Sequence, residues 1–143
     1  MSSPVNIPES VSLALHALAR LAAEEEVALK LADLLVKPGS PDHLSKVMQR
    51  LARAGMVSSR RGRGGGFTLA VSPGDIRLMD VWIALEGTFQ SGICPLKGKV
   101  CPLRKCIFGS MASDAAGIVS DYLRSTTVAD LAGLFSGSNQ WQD

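Results

Sequence analysis

The stretch Ser40–Leu69, SPDHLSKVMQRLARAGMVSSRRGRGGGFTL, decides how the rest of the chain is read. It predicts one helix, a sharp stop and a tight hairpin. Ser40 is a suitable N-cap, and Pro41 suits the first helical turn, where a missing N–H costs nothing. Leu44, Val47, Met48 and Leu51 recur at helical spacing and predict one apolar face, with Lys46, Gln49, Arg50 and Arg53 on the other side. Gly55 is predicted to end the helix, because glycine enters the left-handed region most cheaply. Met56-Val57 and Phe67-Thr68-Leu69 then predict two short strands. The tip between them, Ser58 to Gly66, carries four glycines that permit a tight turn, and the arginines Arg60, Arg61 and Arg63.

The charge of this stretch is local. From Ser40 to Gly66, six basic residues (Lys46, Arg50, Arg53, Arg60, Arg61, Arg63) stand against one acidic residue, Asp42, which gives +5; the whole chain is only +2. A basic patch confined to one unit is the footprint of a phosphate-binding surface. A helix followed by a basic hairpin predicts a winged helix, in which the helix enters the major groove and the wing meets backbone or minor groove. On this reading Lys46, Gln49, Arg50, Arg60 and Arg63 are candidate contacts to double-stranded DNA. His43, on the same helix, is read as a DNA contact or a solvent-exposed residue.

Outward from this unit, the fold class is mainly α with a small β-hairpin wing. Glu9–Ala23 predicts a long helix with Val11, Leu15, Leu18 and Leu21-Ala22 on one face. Leu29–Val36 predicts a short helix ended by Lys37-Pro38-Gly39, which with the next helix makes a helix-turn-helix. Ser72-Pro73-Gly74 is a turn, and Leu78–Glu86 a helix ended by Gly87. Ile107–Arg124 predicts a long helix with Ile107, Met111, Ile118, Tyr122 and Leu123 available for packing. Thr127 with Asp130 resembles a capping box for a last short helix through Phe135, and the tail Ser136–Asp143 is expected to be disordered. The organisation expected is a winged helix-turn-helix domain over 1–87, a cysteine loop over 88–106, a dimerisation helix and short C-terminal helix over 107–135, and a tail over 136–143. A symmetric dimer is the economical partner for the long helix, since two-fold DNA readers place two recognition helices one turn apart.

The 143 residues, 46% of them hydrophobic, suffice for one core. No apolar run of about 18 residues suggests a membrane span, and MSSPVNIPES does not resemble a signal peptide, so a cytoplasmic protein is expected. No Ser-His-Asp, paired-carboxylate or phosphate-loop constellation points to an enzyme; Gly62 to Gly66 is not followed by the Lys-Ser/Thr of a phosphate loop.

Three cysteines, Cys94, Cys101 and Cys106, fall in CPLKGKVCPLRKC among Lys97, Lys99, Arg104 and Lys105. An odd number in one short stretch argues against a disulfide framework and for a metal site or reactive thiols. Thiolates ligate soft metals and iron–sulfur clusters, and neighbouring cations offset their charge. Zinc is disfavoured because the spacing is not a paired CxxC. Cys106 is expected at the start of the long helix, where the dipole favours anions.

SSRRGRGGGFTLA, then IRLMDVWIALEG, then three cysteines ahead of a long helix, resembles the Rrf2 family of bacterial transcription regulators from about Val11 to Leu134. The resemblance implies a dimeric winged-helix DNA binder whose members hold iron–sulfur clusters through three cysteines in this loop. It implies that Cys94, Cys101 and Cys106 are cluster ligands, in a 2Fe–2S or 4Fe–4S centre. It also implies that Ser40, Asp42 and Ser45 occupy base-reading positions and Arg61 the wing arginine of the minor groove. The chain departs from the family in two ways. Its cysteine gaps are six and four residues, where five and five is familiar. The histidine that one branch places three residues after the third cysteine is here Gly109, and the N-terminal aspartate of another branch appears as Ser12, with Glu9 the nearest carboxylate. The fourth ligand is open, with the Glu9 and Ser12 region as candidates; His16 is expected to be a half-buried helix residue.

The leading expectation is a transcription regulator, a repressor as is usual in the family, sensing iron–sulfur, redox or nitrosative status. The alternatives are a cluster-free regulator of the same fold that responds to thiol oxidation or another ligand, and a small redox or cluster-carrier protein.

Overall fold

In the computed structural model, α1 (Glu9–Ala23) is the element around which the others assemble. The structure describes Ser3, residues 5–90, Cys94 and residues 101–134. Along α1, Val11, Ala14, Leu18, Leu21 and Ala22 repeat every three or four residues and are all buried, while Leu15 leans on the core half-buried. This stripe is broad enough to take neighbours on several sides: α1 meets α2 (Leu31–Leu34), α3 (Pro41–Arg53), α4 (Leu78–Glu86), α6 (Val128–Ala132) and strand β2 (Gly66–Leu69). Each fully buried Leu, Val or Met side chain contributes about 1.5–3 kcal/mol relative to exposure, so this packing rather than helix propensity holds the elements in place.

Helix α3 forms where expected. The Ser40 hydroxyl accepts the His43 N–H at 3.4 Å, Pro41 takes the first position, and Leu44, Val47, Met48 and Leu51 are buried against α1 and α4. Gly55, at φ +77, turns the chain out of the helix.

The hairpin is longer than the sequence suggested. Strand β1 runs Val57–Arg60 and β2 runs Gly66–Leu69, antiparallel, with Val57 opposite Leu69 and Arg60 opposite Gly66. Ser58, Ser59 and Arg60, read as part of the tip, therefore belong to a strand, and the turn is confined to residues 61–65. A third segment pairs with β2 on the side away from β1. Leu29 donates its N–H to the Phe67 carbonyl at 3.0 Å and accepts the Phe67 N–H at 2.7 Å. That pairing also corrects the reading of Leu29–Val36 as one helix: Leu29 is extended against β2, and α2 keeps only Leu31–Leu34, capped by the Asp33 carboxylate on the Lys30 N–H at 2.9 Å.

Pro73–Asp75 makes one 3-10 turn, and α4 ends at Gly87 as expected. Helix α5 is Met111–Ser125, four residues later than predicted at its start, because residues 107–110 form a turn that Gly109 occupies at φ +56. Ile107, counted among its packing residues, sits in that turn and is exposed. The Thr127–Asp130 capping box is present, with the Asp130 carboxylate accepting the Thr127 N–H at 2.8 Å. The helix it starts ends at Ala132; Phe135 and the tail lie outside the described residues.

The C-terminal segment returns to the core. Leu78 donates its N–H to Thr126 O at 3.0 Å, and Val128 donates to Ile76 O at 2.9 Å. Leu123 and Val128 are buried, and α6 packs on α1 and the 3-10 turn. The core that supports the winged unit thus includes residues beyond 87, from the segment expected to serve dimerisation.

Candidate nucleic-acid interface and cysteine loop

The burial of one face of α3 leaves the opposite face outward. Lys46, Gln49, Arg50 and Arg53, spaced at i, i+3, i+4 and i+7, are all exposed. Asp42 is exposed in the first turn, and His43 and Ser45 are half-buried. Ser40 is exposed; its hydroxyl oxygen accepts one cap hydrogen bond, which leaves its O–H and a second lone pair for contacts outward. On the wing, Arg60, Arg61 and Arg63 are exposed, Arg60 at the last strand pair and the other two in the turn. The wing is held close to the body at Gly66, where φ is +145 and a Cβ would stand 2.6 Å from Leu29 O.

Two polar contacts approach α3 and the cysteine loop from the start of α1. Glu9 Oε1 lies 3.7 Å from Nδ1 of His43. Next to it, the Ser10 hydroxyl donates to Oε1 of Glu86 at the end of α4. Beyond α4, Phe89 meets Trp82 edge-to-face at 5.1 Å between ring centroids, which fixes the root of the cysteine loop on α4. Sequence reasoning missed both Glu9–His43 and Ser10–Glu86; nothing in local spacing signals contacts between residues so far apart in the chain.

Cys94, Cys101 and Cys106 are free and exposed. Cys106 precedes the 107–110 turn, so it does not occupy the N-terminus of α5, which begins at Met111 after Ser110. The helix dipole therefore gives no account of this thiol. Arg104 and Lys105 are exposed beside it, while Lys97 and Lys99 lie outside the described residues. Among the described residues, no three His, Cys, Asp or Glu side chains are gathered as a metal site. Of the candidate fourth-ligand region, Glu9 faces His43 and Ser12 meets His16, which is exposed rather than half-buried and has Nδ1 2.6 Å from Ser12 O and 3.5 Å from Ser12 Oγ. His16 is exposed because residue 16 falls between the buried positions 14 and 18 on the outer side of the α1 stripe.

Residues 7–133 match the model of the Rrf2 family, described as an iron-dependent transcriptional regulator. The chain belongs to the Rrf2 family. Among curated Rrf2-like relatives, the HTH-type transcriptional regulator IscR of Vibrio campbellii is 29% identical over 102 residues, 71% of this chain and 61% of its own length. The chain thus spans about three fifths of the length of that relative. A protein of Aquifex aeolicus named as an HTH-type transcriptional regulator is 28% identical over 130 residues, 88% of this chain and 90% of its own. Among solved structures, CymR, the global cysteine regulator of B. subtilis, superposes with a TM-score of 0.70 at 26% identity, covering 92% of this chain and 99% of that one. The Vibrio and Aquifex relatives are named as transcriptional regulators and CymR as a global cysteine regulator, in line with the reading of this chain as a regulator rather than an enzyme. No helix among the described residues is long and apolar enough to cross a membrane.

Proposed function

We propose that this chain is a cytoplasmic, homodimeric repressor that binds double-stranded operator DNA and takes its signal through the three-cysteine loop. The observation that carries the DNA reading is the outward stripe Lys46–Gln49–Arg50–Arg53 beside the exposed wing arginines Arg60, Arg61 and Arg63. A helix with one buried and one basic face can enter a major groove without losing its own packing, and the wing arginines supply backbone or minor-groove contacts. Ser40, Asp42, His43 and Ser45 occupy the first turns of α3, the part of a recognition helix that meets base edges.

Dimerisation is supported by α5. Met111, Ala115, Ile118 and Tyr122 form an exposed stripe, with Ile118 72% exposed, while Leu123 on the inner side is buried. A second copy covering this stripe by two-fold symmetry would set the spacing of two recognition helices.

For the signal, the donor chemistry fits an iron–sulfur cluster: three thiols in a loop that carries cations, in a family described as iron-dependent. Cys94, Cys101 and Cys106 would hold it, and a bound cluster, 2Fe–2S or 4Fe–4S, supplies a charged centre sensitive to oxidants and nitric oxide. A second reading, thiol oxidation without a cluster, is favoured by the exposure of all three free cysteines. In either case the loop root is tied to α4 through Phe89 and Trp82, α4 to α1 through Glu86 and Ser10, and α1 to the recognition helix through Glu9 and His43. Anaerobic purification with iron and sulfide counts and a thiol titration separates the two readings. Iron and sulfide at stoichiometric levels that fall in Cys101→Ala support the cluster; three titratable thiols without iron support direct oxidation; DNA affinity that ignores both states removes the sensor reading.

A further inference from the structure

At the root of the wing, the opposite end of the hairpin from the arginine turn, a groove of about 300 Å³ lies between the end of α1 and the chain after β2. Leu21 and Leu69 line it, and Val27 and Val71 flank it with 52% and 45% of their surfaces exposed. Glu24, Glu25 and Glu26, with Thr68 and Pro73, complete the lining, which contains no Lys or Arg. The turn that presents them is closed by the Val27 N–H to Glu24 O at 3.2 Å. Arg20, outside the groove, pairs with Glu24 at 3.0 Å, while Glu25 and Glu26 remain exposed. In a chain of net charge +2 this concentration of negative charge is local.

We propose that this groove docks a short basic and aliphatic segment of a partner protein. The charge selects the occupant. Three carboxylates repel nucleic acid and anionic lipid, so neither fits here. A lone inorganic cation has no use for apolar walls. Lys and Arg side chains satisfy both features at once, since their aliphatic stems cover apolar surface while the charged heads reach the carboxylates. A neighbouring Leu or Ile of the same segment would cover Val27 and Val71. The arrangement gives the wing two ends of opposite preference: arginines for phosphate at the turn, and carboxylates over an apolar floor for a basic peptide at the root.

The test uses the full-length 15N-labelled chain without DNA, so its outcome stands apart from the operator reading. It is titrated with a synthetic peptide of repeated Arg-Leu-Arg-Ser, and in parallel with an Arg-Ser repeat of the same charge and a Glu-Leu-Glu-Ser repeat. Saturable amide shifts at Val27, Thr68 and Val71 are expected with the first peptide. Loss of roughly tenfold or more in affinity is expected for the Arg-Ser repeat, for the double variant Glu25→Lys/Glu26→Lys and for Val71→Ser, with no binding of the acidic peptide. All of these groove residues but Thr68 are largely solvent-facing, and an unchanged melting midpoint verifies that each variant folds; Val27→Ser replaces any that does not. Shifts scattered over other acidic positions, equal binding of the Arg-Ser repeat, or wild-type affinity in the variants would each overturn the proposal.

Discussion

Glu9, the first residue of α1, places its carboxylate 3.7 Å from the ring of His43 in the first turn of the recognition helix. The pair couples the base of the fold to the surface proposed to meet DNA. Both partners are solvent-accessible, so it contributes little to stability, on the order of 0–1 kcal/mol. Its larger effect is electrostatic, because a carboxylate beside a DNA-facing helix opposes the approach of phosphate. Glu9→Gln is expected to leave the melting midpoint unchanged and to raise operator affinity a few-fold at low salt, less at high salt. Fluorescence anisotropy at two salt concentrations checks this; weaker binding in Glu9→Gln would show instead that the carboxylate orients His43 for contact.

Arg61 and Arg50 should behave differently. Arg61 lies in the wing turn, and its loss is expected to cost about 1–3 kcal/mol on the selected operator if it reads a groove. Arg50, in the outward stripe of α3, is expected to lower affinity for all sequences and to reduce the salt slope by about 1. Gel shifts on specific and scrambled duplexes at several salt concentrations distinguish the two; an Arg61→Ala variant with unchanged affinity would remove that residue from the interface.

The wing depends on Gly66. Its φ of +145 strains any other residue, and an added Cβ would meet Leu29 O at 2.6 Å, where β2 receives its third-strand support. Gly66→Ala is therefore expected to destabilise the domain by about 1–3 kcal/mol. Amide exchange should rise at Phe67 and Leu29 before it rises in α1. Unchanged protection at Phe67 would mean that the bridge does not hold the wing.

The exposed stripe on α5 calls for a partner. Ile118→Asp puts a charge at the centre of that stripe without touching the core, so the monomer should remain folded and the dimer should dissociate. Sedimentation at micromolar concentration reads this directly. A wild-type protein that sediments as a monomer, or a variant that stays dimeric, would contradict the two-fold arrangement.

Much of the fold was legible because its signals are local. Ser40, Pro41 and Gly55 bracket α3, the apolar spacing of α1 and α3 places their buried faces, and Gly87 marks the end of α4. The signals failed where tertiary pairing competes with local pattern. Leu29 looked helical beside Leu31 and Leu34, yet Phe67 draws it into an extended bridge. The start of α5 was set too early because Ile107 fits the apolar period, while the turn containing Gly109 interrupts it. Misplacing that start also misplaced Cys106 relative to the helix dipole. The outward residues of α3 and the wing were legible from charge and period together. The positions of Glu9 and Ser10 were not, since their partners lie 34 and 76 residues away in the chain.

In the proposed mechanism the state of the three-cysteine loop sets the affinity of a dimer for DNA. This is tested most directly by anisotropy on an operator selected from a random duplex library, comparing anaerobic protein as purified, the same protein stripped of iron and reduced, the oxidised protein, and a variant with Cys94, Cys101 and Cys106 all changed to Ala. A coupling of about 1–3 kcal/mol predicts a roughly 5- to 150-fold difference between at least two of the wild-type states. The triple variant should hold one affinity under every treatment. Equal affinity of the wild-type protein in all three states would contradict the account, even if its iron content were complete.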